Sequence, residues 1–429
     1  MKLVLKNALV YTGDGFEKNS IVIEDSKITA IGTSVCLDGA NRVFDCNNKY
    51  LIPGFVDVHV HLREPGFSYK ETIKTGTMAA ASAGYTAVCP MPNVNPVPDS
   101  LEGIKAQTDI IERDACIKVY PYASITKGRK GEGELVDFEA LGDIAVGFSD
   151  DGCGVQGEAD MREAMKRCAK LGKIISAHCE VNELLNGGYI HDGEYASLHN
   201  HRGICSKSEW AQIERDCRLA EETGCRYHVC HISTKESVDI IRKAKARGVR
   251  VTCETAPHYL TLCDMDLKEE GRFKMNPPLR SAQDRQALIE GIIDKTIDVI
   301  ATDHAPHSKE EKSKGLEGSA MGIVGLETAF PVLYTKLVKT GVITLERLID
   351  LMSVKPREIF TLGSGKIAVG ETADLALLDL DKEFTVNPDE FLSMGRATPF
   401  EAWELFGENI LTICEGEVVY ETIQQKIDS

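Results

Sequence analysis

The sequence predicts an α/β fold: a (β/α)8 barrel of the TIM type carrying a small β-rich domain built from both ends of the chain. Three features lead there. The middle of the chain alternates apolar strand patterns with helical ones, the mark of βα units. Eight such units fall within about 300 residues, the number a TIM-type barrel needs. Both termini read as short strands separated by turn residues.

Taken in order, Leu3–Tyr11, Ser20–Glu24, Lys27–Ile31 and Arg42–Asp45 are strand-like, with Gly13, Asp14 and Gly15, then Asp25 and Ser26, supplying turns. The barrel strands are Phe55–His61, Tyr85–Pro90, Lys118–Tyr122, Ile144–Phe148, Lys173–His178, Arg226–His231, Arg250–Glu254 and Asp298–Ala301. Helical patterns between them include Asp160–Leu171, Ser208–Thr223, Thr234–Arg247 and Ser281–Lys295. Lys366–Val369, Ala376–Asp379 and Leu411–Val418 are strand candidates at the C-terminal end. The boundaries that follow are 1–52 and 365–429 for the two parts of the β-domain and 53–364 for the barrel. A doubly wound sheet is the alternative for the middle, but no Gly-rich dinucleotide fingerprint follows the first strand.

Composition narrows the function. Lys and Arg number 49 against 66 Asp and Glu, a formal net charge of −17. That argues against a general nucleic-acid or membrane-surface binder, both of which need a positive footprint. An anionic small substrate stays compatible, because a site can be locally positive. The first residues, Met1–Asn7, are too short and too quickly recharged for a secretory signal, and no apolar run approaches the roughly 20 residues of a membrane helix. The 14 cysteines include no C-x-x-C pair. The expectation is a cytoplasmic protein with reduced cysteines packed as small hydrophobes.

Candidate chemistry collects at strand ends. His59 and His61 stand two apart, so they face the same side of the first barrel strand, at the C-terminal rim where barrel enzymes place their sites. A bare H-x-H is more often structural than metal-binding. Here, however, His178 and His231 end two further strands, Asp303 follows a third, and Asp150 and Asp151 follow a fourth. One rim would bring these imidazoles and carboxylates together, a ligand set that suits Zn2+. Of the acidic pair, only one can point inward. His228, three residues before His231, is expected to pack away from the lumen. His191, His199 and His201 are expected in a solvated loop. His258 suits a supporting role, His304 points elsewhere, and His307 can reach substrate.

Asp57-Val58-His59-Val60-His61-Leu62-Arg63-Glu64-Pro65-Gly66 resembles a signature of the dihydroorotases of the amidohydrolase superfamily, and Ala301-Thr302-Asp303-His304-Ala305-Pro306-His307 resembles their second. The likeness continues through Met91-Pro92-Asn93, Phe148–Gly152, Lys274–Arg280 and Gly322–Glu327, nearly the whole chain. It implies a distorted barrel with a small β-sandwich from both termini. It implies metal ligands His59, His61, Asp151, His178, His231 and Asp303, with Asp151 and a hydroxide bridging two Zn2+. Many relatives use a carboxylated lysine as the bridge, but no lysine occurs in Ile144–Asp151, so the chain is similar to the bacterial branch in which an aspartate substitutes. Implied substrate contacts are His61, Arg63, Asn93, Asn276, His307, Met321 and Gly322. Met321 stands where this branch often has Phe.

The implied activity is the reversible, zinc-dependent cyclisation of N-carbamoyl-L-aspartate to L-dihydroorotate with loss of water, in pyrimidine biosynthesis, with Asp303 as general acid and base. A homodimer and an association with aspartate transcarbamoylase are the partners the resemblance suggests. Another cyclic amidase, a hydantoinase or allantoinase, is the rival enzyme, and a non-catalytic scaffold is the rival of a different class. The charged segment 308–320 reads as either a solvated loop or a lid over the pocket.

Overall fold

The computed structural model describes residues 1–422, a mixed α/β protein. The last seven residues of the expected 365–429 segment, 423–429, lie outside the described residues. Five strands open the chain: β1 (Lys2–Tyr11), β2 (Phe16–Glu24), β3 (Lys27–Gly32), β4 (Arg42–Asp45) and β5 (Tyr50–Pro53). The middle contributes β6 (Phe55–Val60), β7 (Tyr85–Pro90), β8 (Lys118–Val119), β9 (Ile174–Ala177), the outlying pair β10 (Ile190–His191) and β11 (Gly203–Ile204), then β12 (Arg226–Val229), β13 (Val251–Thr255) and β14 (Val299–Ile300). The C-terminal end adds β15 (Leu375–Thr385), β16 (Glu404–Cys414) and β17 (Glu417–Glu421).

Strands β6, β7 and β8 form one parallel sheet, and β9, β12, β13 and β14 another. Every residue of β6, β7 and β9 is buried, as in a parallel sheet covered on both faces. Isolated parallel bridges link the two sheets at both ends: Phe148 pairs with Ala123 and Ile175, and Val60 pairs with His304.

The expected strand Ile144–Phe148 is reduced to Phe148. The reason is local. Val146 N–H donates to Pro121 C=O, and Pro121 has no N–H to continue that ladder. Lys366–Val369 is not a strand either; it runs past the edge of β3, held by Gly370 N–H to Ile28 C=O and the single bridge Lys27–Thr372. Leu411–Val418 is a hairpin rather than one strand. Glu415 (φ 51°) and Gly416 (φ 81°) make a turn between β16 and β17, and a side chain at Gly416 would strike the Asp25 carbonyl.

Helices pack on the parallel sheets through apolar stripes. Glu158–Lys170 buries Met161, Ala164, Met165 and Cys168, at the spacing of one helix face. The helix Lys235–Ala246 starts at Thr234, whose hydroxyl accepts from Ser237 N–H. That cap fixes the turn three residues after His231. Among the described residues no helix is long and apolar enough to cross a membrane.

Both ends of the chain share one eight-stranded sheet, ordered β17-β16-β15-β5-β1-β2-β3 with β4 beside β1. The join is β5 against β15, with Leu51 opposite Leu377 and Lys49 paired to Asp379 at 2.6 Å. Leu5, Ile23, Phe44, Leu51, Leu375 and Leu411 sit in one buried apolar cluster, so the two ends complete a common core.

Candidate active site

The C-terminal ends of the parallel strands converge on a cavity of about 240 Å³. Its lining includes His61, Arg63, Asn93, Asp151, His178, His231, Asn276, Asp303, His307, Met321 and Gly322. All the expected site residues thus line the cavity except His59, which is fully buried beneath its floor.

His59 and His61 do face the same way. His59 Nε2 lies 3.3 Å from Asp151 Oδ1 and 3.6 Å from Asp303 Oδ1. His61 Nε2 lies 2.9 Å from Asp303 Oδ1 and 3.6 Å from Asp151 Oδ2. On the other side of Asp151, His178 Nδ1 and His231 Nε2 each stand 3.6 Å from Oδ1, and 3.0 Å from one another. Two ligand groups, His59-His61-Asp151 and Asp151-His178-His231, share the aspartate.

This donor set fits metal ions. Ligands about 2.1 Å from a tetrahedral ion lie about 3.4 Å apart, and several of these separations are 3.3–3.6 Å. His59 Nε2 and Asp151 Oδ1 are buried and close, yet not aligned for a hydrogen bond with each other or with another group. Buried polar atoms are normally satisfied, so these two point to a cation between them.

The far nitrogens are anchored. Glu254 Oε1 accepts from His59 Nδ1 at 2.7 Å, and Asn93 Oδ1 accepts from His61 Nδ1 at 2.8 Å. Each bond leaves a bare Nε2 facing the centre. Glu254 also accepts from His231 N–H at 3.2 Å and, through Oε2, from His228 Nε2 at 3.1 Å. His228 packs away from the cavity as expected, edge-on to Phe360, with Nδ1 2.8 Å from the Thr252 hydroxyl. Burial opposes ionisation of Glu254, but the charges and hydrogen bonds of His59 and His228 hold its carboxyl far below the usual range.

Asp57 joins the first and last strand ends by accepting from His59 N–H and Thr302 N–H, both at 3.0 Å. Burial raises its carboxyl to about 7. Glu254 and Asp57 were not among the expected site residues. Glu254 had a legible signal: it ends the candidate strand Arg250–Glu254, as His178 and His231 end theirs. Glu180 was also missed; it accepts from Asn276 Nδ2 at 2.8 Å and fixes that amide beside the cavity.

The acidic pair is resolved by contacts. Asp151 faces the four histidines. Asp150 turns away and accepts from the N–H groups of Ile125, Thr126 and Gly131, closing the loop after Ala123. His304 also points away, its Nδ1 accepting from Gly325 N–H at 3.2 Å. His191 departs from the solvated-loop expectation: it is buried in the β10–β11 ladder, 3.3 Å from Arg280 Nη1. His258 is fully buried, and burial lowers it to about 4.

Three residues of the site hold unusual backbone conformations. Arg63 (φ 62°), His231 (φ 32°) and Asp303 (φ 49°) are all left-handed. Such conformations cost about 1–3 kcal/mol each and persist where the surroundings over-determine them. Gly322 (φ 133°) lies against the Ala305 carbonyl, and a Cβ there would come within 2.7 Å of it. Met321 contributes its backbone, with its carbonyl accepting from His307 Nε2 at 2.8 Å.

Arg63 is the charge at the cavity wall. Its Nε donates to Pro306 C=O at 3.0 Å, and among the described residues it has no carboxylate ion-pair partner. Burial lowers its guanidinium to about 10. The segment 308–320 is ordered into two short helices, Lys309–Lys312 and Gly315–Gly318, rather than an open loop. Lys312 Nζ donates to the carbonyls of Lys274, Ala320 and Gly322 and so ties that segment down beside the cavity.

Comparison with known proteins gives a consistent picture. A model of dihydro-orotase-like proteins matches residues 48–237. The chain is 51% identical over 424 residues to a dihydroorotase of Geobacillus sp. (strain WCH70), covering 98% of this chain and 99% of that one. It is 52% identical over 426 residues to a dihydroorotase of Listeria innocua, covering 99% and 100%. Among solved structures, the L-hydantoinase (dihydropyrimidinase) of Arthrobacter aurescens superposes with a TM-score of 0.88 at 27% identity, over 99% of this chain and 97% of that one. The D-hydantoinase (dihydropyrimidinase) of Thermus sp. gives 0.84 at 26% identity, over 99% and 96%.

Proposed function

The chain belongs to the dihydroorotases, metal-dependent cyclic amidohydrolases of pyrimidine biosynthesis, and from that premise we propose how its residues divide the work. His59, His61 and Asp303 would hold one Zn2+ and His178 and His231 a second, with Asp151 available to both groups. When bound, such ions would supply a nucleophile at neutral pH and polarise the ring carbonyl. Asp303 accepts the proton released as the ring amide of dihydroorotate is opened and delivers it to the leaving nitrogen; in the biosynthetic direction it takes a proton from the carbamoyl nitrogen of N-carbamoyl-L-aspartate. Its carboxyl suits that role. Burial pushes it up, but the close imidazoles of His61, His59 and His231 bring it below the usual range, so it starts as the base.

The observation that carries the substrate assignment is the buried Arg63 guanidinium without an acidic partner. A buried charge calls for a counter-charge, and a guanidinium matches a carboxylate with paired hydrogen bonds. Arg63, Asn93 and His307 therefore grip the ring carboxylate while Asn276, Met321 and Gly322 border the ring. The cavity, about 240 Å³, is smaller than the roughly 300–1,000 Å³ of drug-sized sites and suits one small ring. Hydantoin and allantoin carry no ring carboxylate and leave Arg63 unpaired.

Around this site, the two bridged parallel sheets form the wall of a (β/α)8 barrel over 53–364, and the terminal sheet is the small β-sandwich expected of 1–52 and 365–429, of which 423–429 lie outside the described residues. The enzyme acts in the cytoplasm as a homodimer, and a complex with aspartate transcarbamoylase suits its place in the route. The test is turnover of dihydroorotate, hydantoin and allantoin by zinc-loaded protein with metal content measured. Dihydroorotate should be strongly preferred. Equal or better turnover of hydantoin or allantoin would overturn the carboxylate assignment.

A further inference from the structure

Lys70 lies outside the cavity lining, on the turn that follows Arg63. Phe67 N–H donates to Arg63 C=O and Lys70 N–H to Phe67 C=O, each at 2.9 Å, so the loop after β6 doubles back over His307. The Lys70 side chain is 14% exposed. Its Nζ stands 3.2 Å from His307 Nδ1 and 2.9 Å from Glu311 Oε1. On the far side of the ring, His307 Nε2 is 2.8 Å from the Met321 carbonyl and 3.3 Å from Arg63 Nη2.

An ammonium has donors only, so Nδ1 must accept from it. A carbonyl only accepts, so Nε2 must carry the proton. The two contacts demand the same tautomer. The Arg63 contact is then not a hydrogen bond, since both atoms carry hydrogens. It is two donors brought to one corner of the cavity, an arrangement that an anion between them relieves. One group competes for the other tautomer: Glu311 Oε2 lies 3.5 Å from Nδ1 and could accept a proton carried there. Lys70 occupies that approach and Glu311 at once.

We propose that Lys70 is a positioning residue that locks His307 in its Nε2–H tautomer, so that the proton held at the Met321 carbonyl can be shared with the substrate carboxylate beside the Arg63 guanidinium. This rests on the reading of Arg63 and His307 given above. The ring is also kept neutral, so that a tautomer is defined. Burial, then the charges of Arg63 and Lys70, lower His307 to about 3. The charged groups around the ring are Arg63, Lys70, Glu311 and Lys312.

The test uses zinc-loaded, full-length enzyme labelled with 15N-histidine, with the His307 signals assigned by their loss in His307→Gln. In the wild type, His307 should show a protonated Nε2 and a bare Nδ1. Lys70→Met should move proton density to Nδ1, toward Glu311. It should also raise KM for dihydroorotate about 2- to 12-fold, the range expected for one lost hydrogen bond, with kcat and zinc content close to wild type. Lys70→Arg keeps the charge and a donor and should restore the tautomer, and it serves as the folded comparison if Lys70→Met proves unstable. A wild-type His307 with its proton on Nδ1 overturns the proposal, as does a Lys70→Met enzyme with unchanged 15N shifts and KM. If His307→Gln leaves KM for dihydroorotate unchanged, the carboxylate reading of His307 fails instead, while the 15N result on Lys70→Met still decides the tautomer.

Discussion

Glu254 sits under the proposed metal ligands without lining the cavity, and its replacement tests how much of the metal affinity is built beneath the site. Its carboxylate accepts from His59 Nδ1, His228 Nε2 and His231 N–H. Glu254→Gln keeps one oxygen for His59 and presents an amide N–H to His228. His228 can adapt by giving its proton to the Thr252 side through Nδ1. The loss is then mainly the charge that makes His59 a better donor. Glu254→Ala removes the acceptor for all three groups and frees the His59 ring to choose its tautomer. Outer partners of metal-binding histidines are worth about 10- to 100-fold in metal affinity, or about 1.4–2.7 kcal/mol. The Gln variant should fall near the lower limit and the Ala variant at or beyond the upper one. The Ala variant should also unfold more easily, since each stranded buried polar group costs about 1–3 kcal/mol. Zinc titration of stripped protein against a chromophoric chelator measures the first effect and thermal unfolding the second. If both variants bind zinc as tightly as wild type, Glu254 does not set His59, and the argument from its hydrogen bonds is wrong.

Asp303→Asn should lower turnover by at least about 100-fold, the low end for a lost general acid or base; near-normal turnover with zinc retained would remove Asp303 from that role. Arg63→Met should reduce kcat/KM for dihydroorotate about 10- to 150-fold, equivalent to the roughly 1.5–3 kcal/mol of a charged hydrogen bond, and Arg63→Lys should reduce it less. Any weak hydrolysis of hydantoin should change little in both variants, and equal losses on the two rings would place Arg63 in the fold instead. Chelation should abolish activity while circular dichroism stays native, because the large apolar core does not depend on the ligand cluster; activity in verified metal-free protein would refute the metal chemistry. Glu311 supplies a pH test. Burial raises its carboxyl, but Lys70 and the Ser308 N–H outweigh that and lower it from 4.5 to about 2. A depressed carboxylate contributes stability that is full above 4.5 and fades as pH falls toward about 2. Glu311→Gln should therefore narrow the stability difference from wild type across that interval, and a difference in thermal midpoint independent of pH there would contradict the assignment.

The histidines and acids that meet at the cavity could be picked out as candidates because strand periodicity and strand ends are local properties. His59 and His61 share a face because side chains alternate along a strand, and His178, His231 and Asp303 could be picked because each ends or follows an apolar run. The same local logic gave the helix after Thr234 and the terminal strands β1 and β15, but not β5, the short strand that joins the two ends. It failed where a neighbouring strand or a turn inside the segment interrupts the pairing. Ile144–Phe148 has strand composition, but its neighbour contains Pro121, which has no N–H to give, and regular pairing with it is left only at Phe148 with Ala123. Leu411–Val418 has strand composition too, but the turn at Glu415–Gly416 folds it into a hairpin.

Which side chain anchors which was decided only by the tertiary structure. Asp150 and Asp151 are adjacent acids with the same chemistry, and only three-dimensional packing sends one to the 125–131 loop and the other to four imidazoles. Glu254 is 195 residues from His59 and Lys70 is 237 from His307. No local period connects such pairs. Their roles follow from proton donors and acceptors meeting at about 3 Å in a space with little water, where each hydrogen must find an acceptor.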